Sequence, residues 1–220
     1  MKQLFKGLSR LRGKRIFHPF GVGFEARLTP LGEPSGAVAF EREAEALVRL
    51  SRSFGLPEAL PDPCGLAFRI PDAHGPGRHQ DLLLVTSAGP PGARHTLMPS
   101  RGFADRPYSS VLPYELAGET VLLGARALAP APGPKLEDLD RGGRAELDFE
   151  IVAAGIRGEW RPLARLALGG KLPSQQTELL DLDPTNTGGG LELVGLLNRL
   201  RAPAYGGSQE GRHAAYSAGS

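Results

Sequence analysis

Short apolar blocks, broken repeatedly by Gly and Pro, run along most of this chain. Residues 22–29, VGFEARLT, alternate as a strand, and the Pro30–Gly36 segment after them is rich in turn residues. In FEREAEALVRLSR (40–52), Phe40, Ala44, Leu47, Val48 and Ser51 fall near one face of a helix, with the charges opposite. That spacing predicts a helix. Asp62-Pro63 breaks the chain, and Gly65–Ile70 and Asp81–Ser87 follow as expected strands. Gly89–Tyr108 is irregular. Glu119–Ala129, Ala145–Ala154 and Trp160–Leu168 are three more expected strands, separated by turns that favour antiparallel neighbours. DPTNTGGG (183–190) is a loop, and Leu191, Val194, Leu197 and Leu200 predict a helix over 191–201. Residues 1–14 read as a short basic amphipathic helix or docked arm, and 214–220 as a frayed tail. The order is strand, helix, several strands, helix. It predicts one α+β domain over 1–220, an antiparallel sheet, curled or closed, with helices at its ends.

Composition narrows the function classes. The 220 residues suit a single domain. Lys and Arg number 26 against 24 Asp and Glu, a net charge of +2, too balanced for an electrostatic nucleic-acid binder. The single cysteine, Cys64, excludes a disulfide framework and a cysteine-based zinc site, and its Asp-Pro-Cys-Gly setting reads as structural rather than redox-active. No apolar run has the ~18 residues of a membrane span, and the basic start is not a secretory signal. A cytoplasmic protein is therefore expected.

Three stretches could carry chemistry. His18 lies just ahead of the first strand with Arg15 three residues upstream; a lone histidine there is more often a hydrogen-bonded structural residue. Arg49 lies in Val48-Arg49-Leu50-Ser51 beside an apolar stripe, where most arginines snorkel. Near the end, offsets of four and seven put Arg201, Tyr205 and Arg212 on one face if that segment is helical. An arginine one turn away can stabilise a phenolate. An ordinary surface tyrosine between arginines reads equally well.

Taken together, these stretches resemble the haem catalase superfamily. Arg15, His18, Gly21 and Gly23 match its Arg-x-x-His-x-x-Gly-x-Gly pattern. Val48-Arg49-Leu50-Ser51 resembles its Val-Arg-Phe-Ser segment, and Asp62-Pro63-Cys64-Gly65-Leu66-Ala67 its Asp-Pro-x-Gly-x-Ala strand. Arg201, Tyr205, Ser208, Gln209 and Arg212 match its Arg-x-x-x-Tyr-x-x-Ser/Thr-Gln-x-x-Arg segment. Asp183-Pro184-Thr-Asn186 and Leu197-Asn-Arg199 resemble the approach to that segment, and Trp160-Arg-Pro162 is a weaker match. The resemblance runs from about residue 12 to 213, in a chain much shorter than a full catalase, as in the small catalase-related haem proteins.

The resemblance implies a catalase-like antiparallel β-barrel holding one haem b. Tyr205 would be the axial ligand of the iron, as a phenolate, with Arg201 keeping it deprotonated. Arg15, Arg49 and Arg212 would pair with the propionates. His18 would be the distal acid–base group, with Ser51 fixing its tautomer. Full catalases carry a distal asparagine after Asp-Leu-Val-Gly. Here Asp81-Leu-Leu-Leu-Val85-Thr86-Ser87 has none, and Thr86 is the candidate hydroxyl in its place. That departure, with Phe17 and Phe20 beside His18, points away from hydrogen-peroxide dismutation. The expected activity is a peroxidase reducing organic hydroperoxides, with hydrogen peroxide an open second substrate and a separate electron donor. A hydroperoxide isomerase or lyase and a non-catalytic haem carrier or sensor are the alternatives. The short chain suggests a monomer or simple dimer with wide access to the haem.

Overall fold

A computed structural model describes residues 20–194 apart from 58, 144 and 156. The arm at 1–14, the tail at 214–220, and Arg15, His18, Arg201, Tyr205 and Arg212 lie outside the described residues. Ten strands are present: β1 (Phe20–Pro30), β2 (Ala44–Arg52), β3 (Cys64–Ile70), β4 (Gln80–Thr86), β5 (Tyr108–Ser109), β6 (Tyr114–Leu116), β7 (Glu119–Ala127), β8 (Asp148–Ala154), β9 (Arg161–Lys171) and β10 (Leu191–Leu193). Two short helices accompany them, α1 (Leu136–Arg141) and α2 (Ser174–Leu179).

β1, β2, β3, β4, β5, β7, β8 and β9 pair in that cyclic order, every pair antiparallel, and β9 returns to β1. The sheet thus closes into an eight-stranded barrel. Closure removes free edges from these eight strands. β6 and β10 extend the sheet outward from β7; there Glu192 of β10 sits directly opposite Glu115 of β6. The α+β expectation of a closed antiparallel sheet with few helices holds.

Period-two alternation explains the inside of the barrel. Val22, Phe24, Ala26 and Leu28 of β1, Val48 and Leu50 of β2, Leu66 and Phe68 of β3, and Phe149 and Ile151 of β8 are all buried in one core. Tyr108 and Phe149 meet edge to face with ring centres 5.7 Å apart. An eight-stranded barrel is just wide enough for its own side chains to fill. Polar chemistry therefore has to sit on the outer face or at the ends.

The helix expected over 40–52 is not there. A 3₁₀ turn at Val38–Phe40 precedes β2, which pairs with β1 on one side and β3 on the other. Ala, Glu, Leu and Arg have high helix propensity, but this segment is buried between two strands, and tertiary pairing overrides propensity. The apolar residues that suggested a helical stripe belong to both faces of a strand. The helix expected from 191 is also corrected at its start: Leu191–Leu193 is strand, and the remainder from 195 lies outside the described residues.

Candidate functional site on the outer face of the barrel

The strand register places Arg49 and Ser51 together. Both point away from the barrel core, one strand step apart on β2. Opposite them on β1 stand Gly23 and Gly21, and on β3 Ala67 and Gly65. On β4 the same row continues through Leu83 and Val85. Arg49 and Ser51 are buried despite facing outward, at 8% and 3% exposure, whereas Ala67, Leu83 and Val85 are half-buried.

The two glycines of β1 have separate steric reasons. A Cβ at Gly21 would lie 2.6 Å from Cζ of Arg49, so the guanidinium rests against bare backbone. A Cβ at Gly23 would lie 2.4 Å from Oγ1 of Thr177, so α2 packs directly on this strand. The backbone N–H of Leu172 donates to the Gly23 carbonyl at 2.8 Å and fixes the approach to α2. The result is a shelf whose glycine floor is covered, at Gly21 by the Arg49 guanidinium and at Gly23 by Thr177, and whose half-buried part is Ala67, Leu83 and Val85.

Thr86 is not part of this shelf. It points to the opposite side of β4, fully buried. Its hydroxyl accepts from the Cys64 N–H at 3.0 Å and donates to the Met98 carbonyl at 2.6 Å. Both roles of that hydroxyl are spent on fixing the barrel end. Counting from Asp81 through an Asp-Leu-Val-Gly-Asn order, the fifth position is Val85, and Val85 faces the shelf. Thr86 therefore faces away from Arg49 and Ser51 while Val85 faces their side, because a one-residue slip in a strand changes its face. Strand parity from Asp81 was the signal that could have found it.

A second feature missed by sequence is the clasp made by Asp81 on the same outer face. Its fully buried carboxylate takes Arg69 bidentately, at 2.7 and 2.5 Å. It also accepts from the Asp183 N–H at 2.9 Å and from Nδ2 of Asn186 at 2.8 Å. Arg69 donates onward to the Asp181 carbonyl at 2.7 Å. The hydrogen bond to Asp81 is the main cause raising the Arg69 pKa above its usual range. One carboxylate thus fastens the 181–186 segment to β4. At the loop's end, Gly189 (φ +57°) lets the chain pass His74, whose Nδ1 would be 2.7 Å from an added Cβ. Farther round the barrel, Trp160 lies over Gly124 and is capped by Arg94, whose Cζ is 4.1 Å from the ring centre.

Catalases are among the solved structures that share this architecture. Catalase A from Saccharomyces cerevisiae superposes with a TM-score of 0.63 at 11% identity, over 87% of this chain and 60% of that one. The fold is that of the catalases. A fungal catalase (TM-score 0.60, 12% identity) and a bacterial catalase (0.59, 14%) agree over the same 87% of this chain, and 58% and 56% of theirs. No family model and no curated protein matches the sequence. The chain spans less than two thirds of the length of these catalases, and the likeness is one of fold.

Among the described residues no three His, Cys, Asp or Glu side chains gather as a metal site. A porphyrin makes a different demand on the barrel, namely a flat apolar face with a cation for its carboxylates. Half-buried Ala67, Leu83 and Val85 supply an apolar face and the Arg49 guanidinium over Gly21 a cation, which fit that demand, while Gly23 is covered by α2.

Proposed function

We propose that this chain is a haem-dependent peroxidase that reduces organic hydroperoxides with electrons from a separate donor. The observation that carries the reading is the outer shelf of a catalase-fold barrel, with Arg49 and Ser51 on it and the apolar Val85 where an asparagine would stand. When bound, haem would supply an iron that exchanges electrons with a peroxide. Tyr205 would hold that iron as a phenolate, kept ionised by Arg201. Arg15, Arg49 and Arg212 would hold the propionates, since guanidinium forks match carboxylates.

His18 does the proton work. The chain enters β1 two residues after it, at the end where Gly21 pairs with Ser51. Its imidazole takes the hydroperoxide proton and returns it to the departing alcohol oxygen, and Ser51 orients the ring. Overall, one hydroperoxide, two electrons and two protons give one alcohol and one water. A valine at position 85 offers hydrogen peroxide no hydrogen bond and gives an alkyl group an apolar contact, which favours the organic substrate.

The test loads the full-length protein with haem and follows its absorption and turnover. The expected protein has a high-spin ferric tyrosinate spectrum, which Tyr205→Phe abolishes. His18→Ala lowers hydroperoxide reduction by about 10²–10⁴-fold while haem stays bound. Full occupancy and an unchanged spectrum in Tyr205→Phe would overturn the ligand assignment. Unchanged turnover in His18→Ala would reduce the protein to a carrier. Rearranged product formed without an electron donor would make it an isomerase.

A further inference from the structure

A groove of about 310 Å³ lies at one end of the barrel, lined by Pro61, Pro99, Ser100, Arg101, Asp105 and Arg106. Its two walls are held side by side by reciprocal backbone hydrogen bonds between Asp62 and Ser100, at 3.0 and 3.1 Å. Both walls are anchored from behind. Buried Asp62 accepts from the Phe54 and Leu56 N–H groups at 3.1 Å and faces Arg52 at 3.6 Å. On the other wall Phe103 is buried, and its carbonyl takes the Tyr108 hydroxyl at 2.8 Å. The groove is therefore pre-organised.

Its charges are unevenly satisfied. Arg27, Arg126, Arg161 and Arg165 on the barrel surface each meet a carboxylate. Arg101 and Arg106 form no ion pair among the described residues, and Arg106 spends only Nε, on the Pro99 carbonyl at 2.8 Å. The acid between them, Asp105, is turned to the backbone. Its two oxygens accept from Gly102 N–H at 2.8 Å and Gly133 N–H at 2.6 Å. Two guanidinium groups are thus left facing a groove with one preoccupied carboxylate. Beside them are the apolar rings of Pro61 and Pro99, and close by in the chain Leu60 and Leu97 are each 51% exposed.

We propose that this groove binds the carboxylate of a small amphiphile, the head on Arg101 and Arg106 and the short apolar tail along the prolines and leucines. Planar guanidinium forks suit carboxylates, and the apolar flank selects against fully hydrated anions. The site is distinct from the shelf of Arg49 and Ser51 and requires no haem.

Calorimetric titration of the haem-free full-length protein with octanoate at low salt tests it. Saturable binding is expected, weakened at least tenfold in the double variant Arg101→Gln/Arg106→Gln. Arg42→Gln/Arg78→Gln, which removes two exposed arginines elsewhere, should leave it unchanged. 1-Octanol and inorganic phosphate should each bind at least tenfold more weakly than octanoate. No octanoate binding by the parent protein, equal binding by the Arg101/Arg106 variant, or equally tight phosphate binding would overturn the proposal. All three can be read while the haem question stands either way. Should the double variant fold poorly, the exposed single variant Arg101→Gln gives the same reading through a smaller loss.

Discussion

Neighbouring residues Val85 and Thr86 divide the labour of one strand between two surfaces. The Thr86 hydroxyl joins Cys64 and Met98 across the barrel end, while Val85 looks out over the glycine floor. Thr86→Val should therefore cost about 1–3 kcal/mol, since it leaves a buried N–H and a buried carbonyl without their partner. It should leave the haem spectrum of loaded protein unaltered. On the proposed function, Val85→Asn should do the reverse: little change in stability, and a rise in hydrogen-peroxide dismutation relative to organic hydroperoxide reduction. Urea unfolding checks the first variant and oxygen evolution the second. If Thr86→Val altered the spectrum while stability held, the two roles would have been assigned to the wrong residues.

At the scale of elements, the clasp on Asp81 joins β3, β4 and the loop at 181–186. Removing one partner of a buried, hydrogen-bonded ion pair is expensive. Asp81→Asn should cost about 3 kcal/mol, the low end of that range because Arg69 keeps some contact with water. The loss should appear in urea unfolding and as faster proteolytic cleavage within 181–186. Most of the strands were legible in the sequence, since VGFEARLT, GLAFRI and DLLLVTS carry their alternation or apolar runs between turn residues. β2 was not, because a strand covered on both faces loses its alternation and its Ala, Glu, Arg and Leu mimic a helix. Of the candidate site, Arg49 and Ser51 share one face of a strand where the sequence suggested a helix. Thr86 does not, and the Asp81 clasp was invisible because its partners lie about a hundred positions away in the chain.

Across the whole molecule, the filled barrel governs response to alkali. Burial is the main cause that pushes the Cys64 thiol from 9.0 up to about 12. Burial likewise raises the Tyr108 and Tyr114 hydroxyls above their usual value. Each group stays protonated in the fold but ionises near its ordinary value once unfolded. Their contribution is thus complete below about pH 8.5, where an unfolded thiol is still protonated, and is lost as pH rises towards the folded values. Each group should cost about 1.4 kcal/mol per pH unit above its unfolded value. Urea midpoints measured at pH 8, 10 and 11 should fall steadily, and less steeply in Cys64→Ala. A flat profile would mean that these groups are open to solvent.

The barrel's eight strands hold one another in a ring, whereas among the described residues β10 pairs with β6 only, through three residue pairs. The central pair sets Glu192 against Glu115, two like charges directly across a ladder, which weakens a sheet. β5 joins its neighbours through only two pairs on each side, so what sets the β10 seam apart is this like-charge pair rather than its length. Added salt screens that repulsion and dilute buffer leaves it bare, so ionic strength bears on this edge of the sheet and not on the ring.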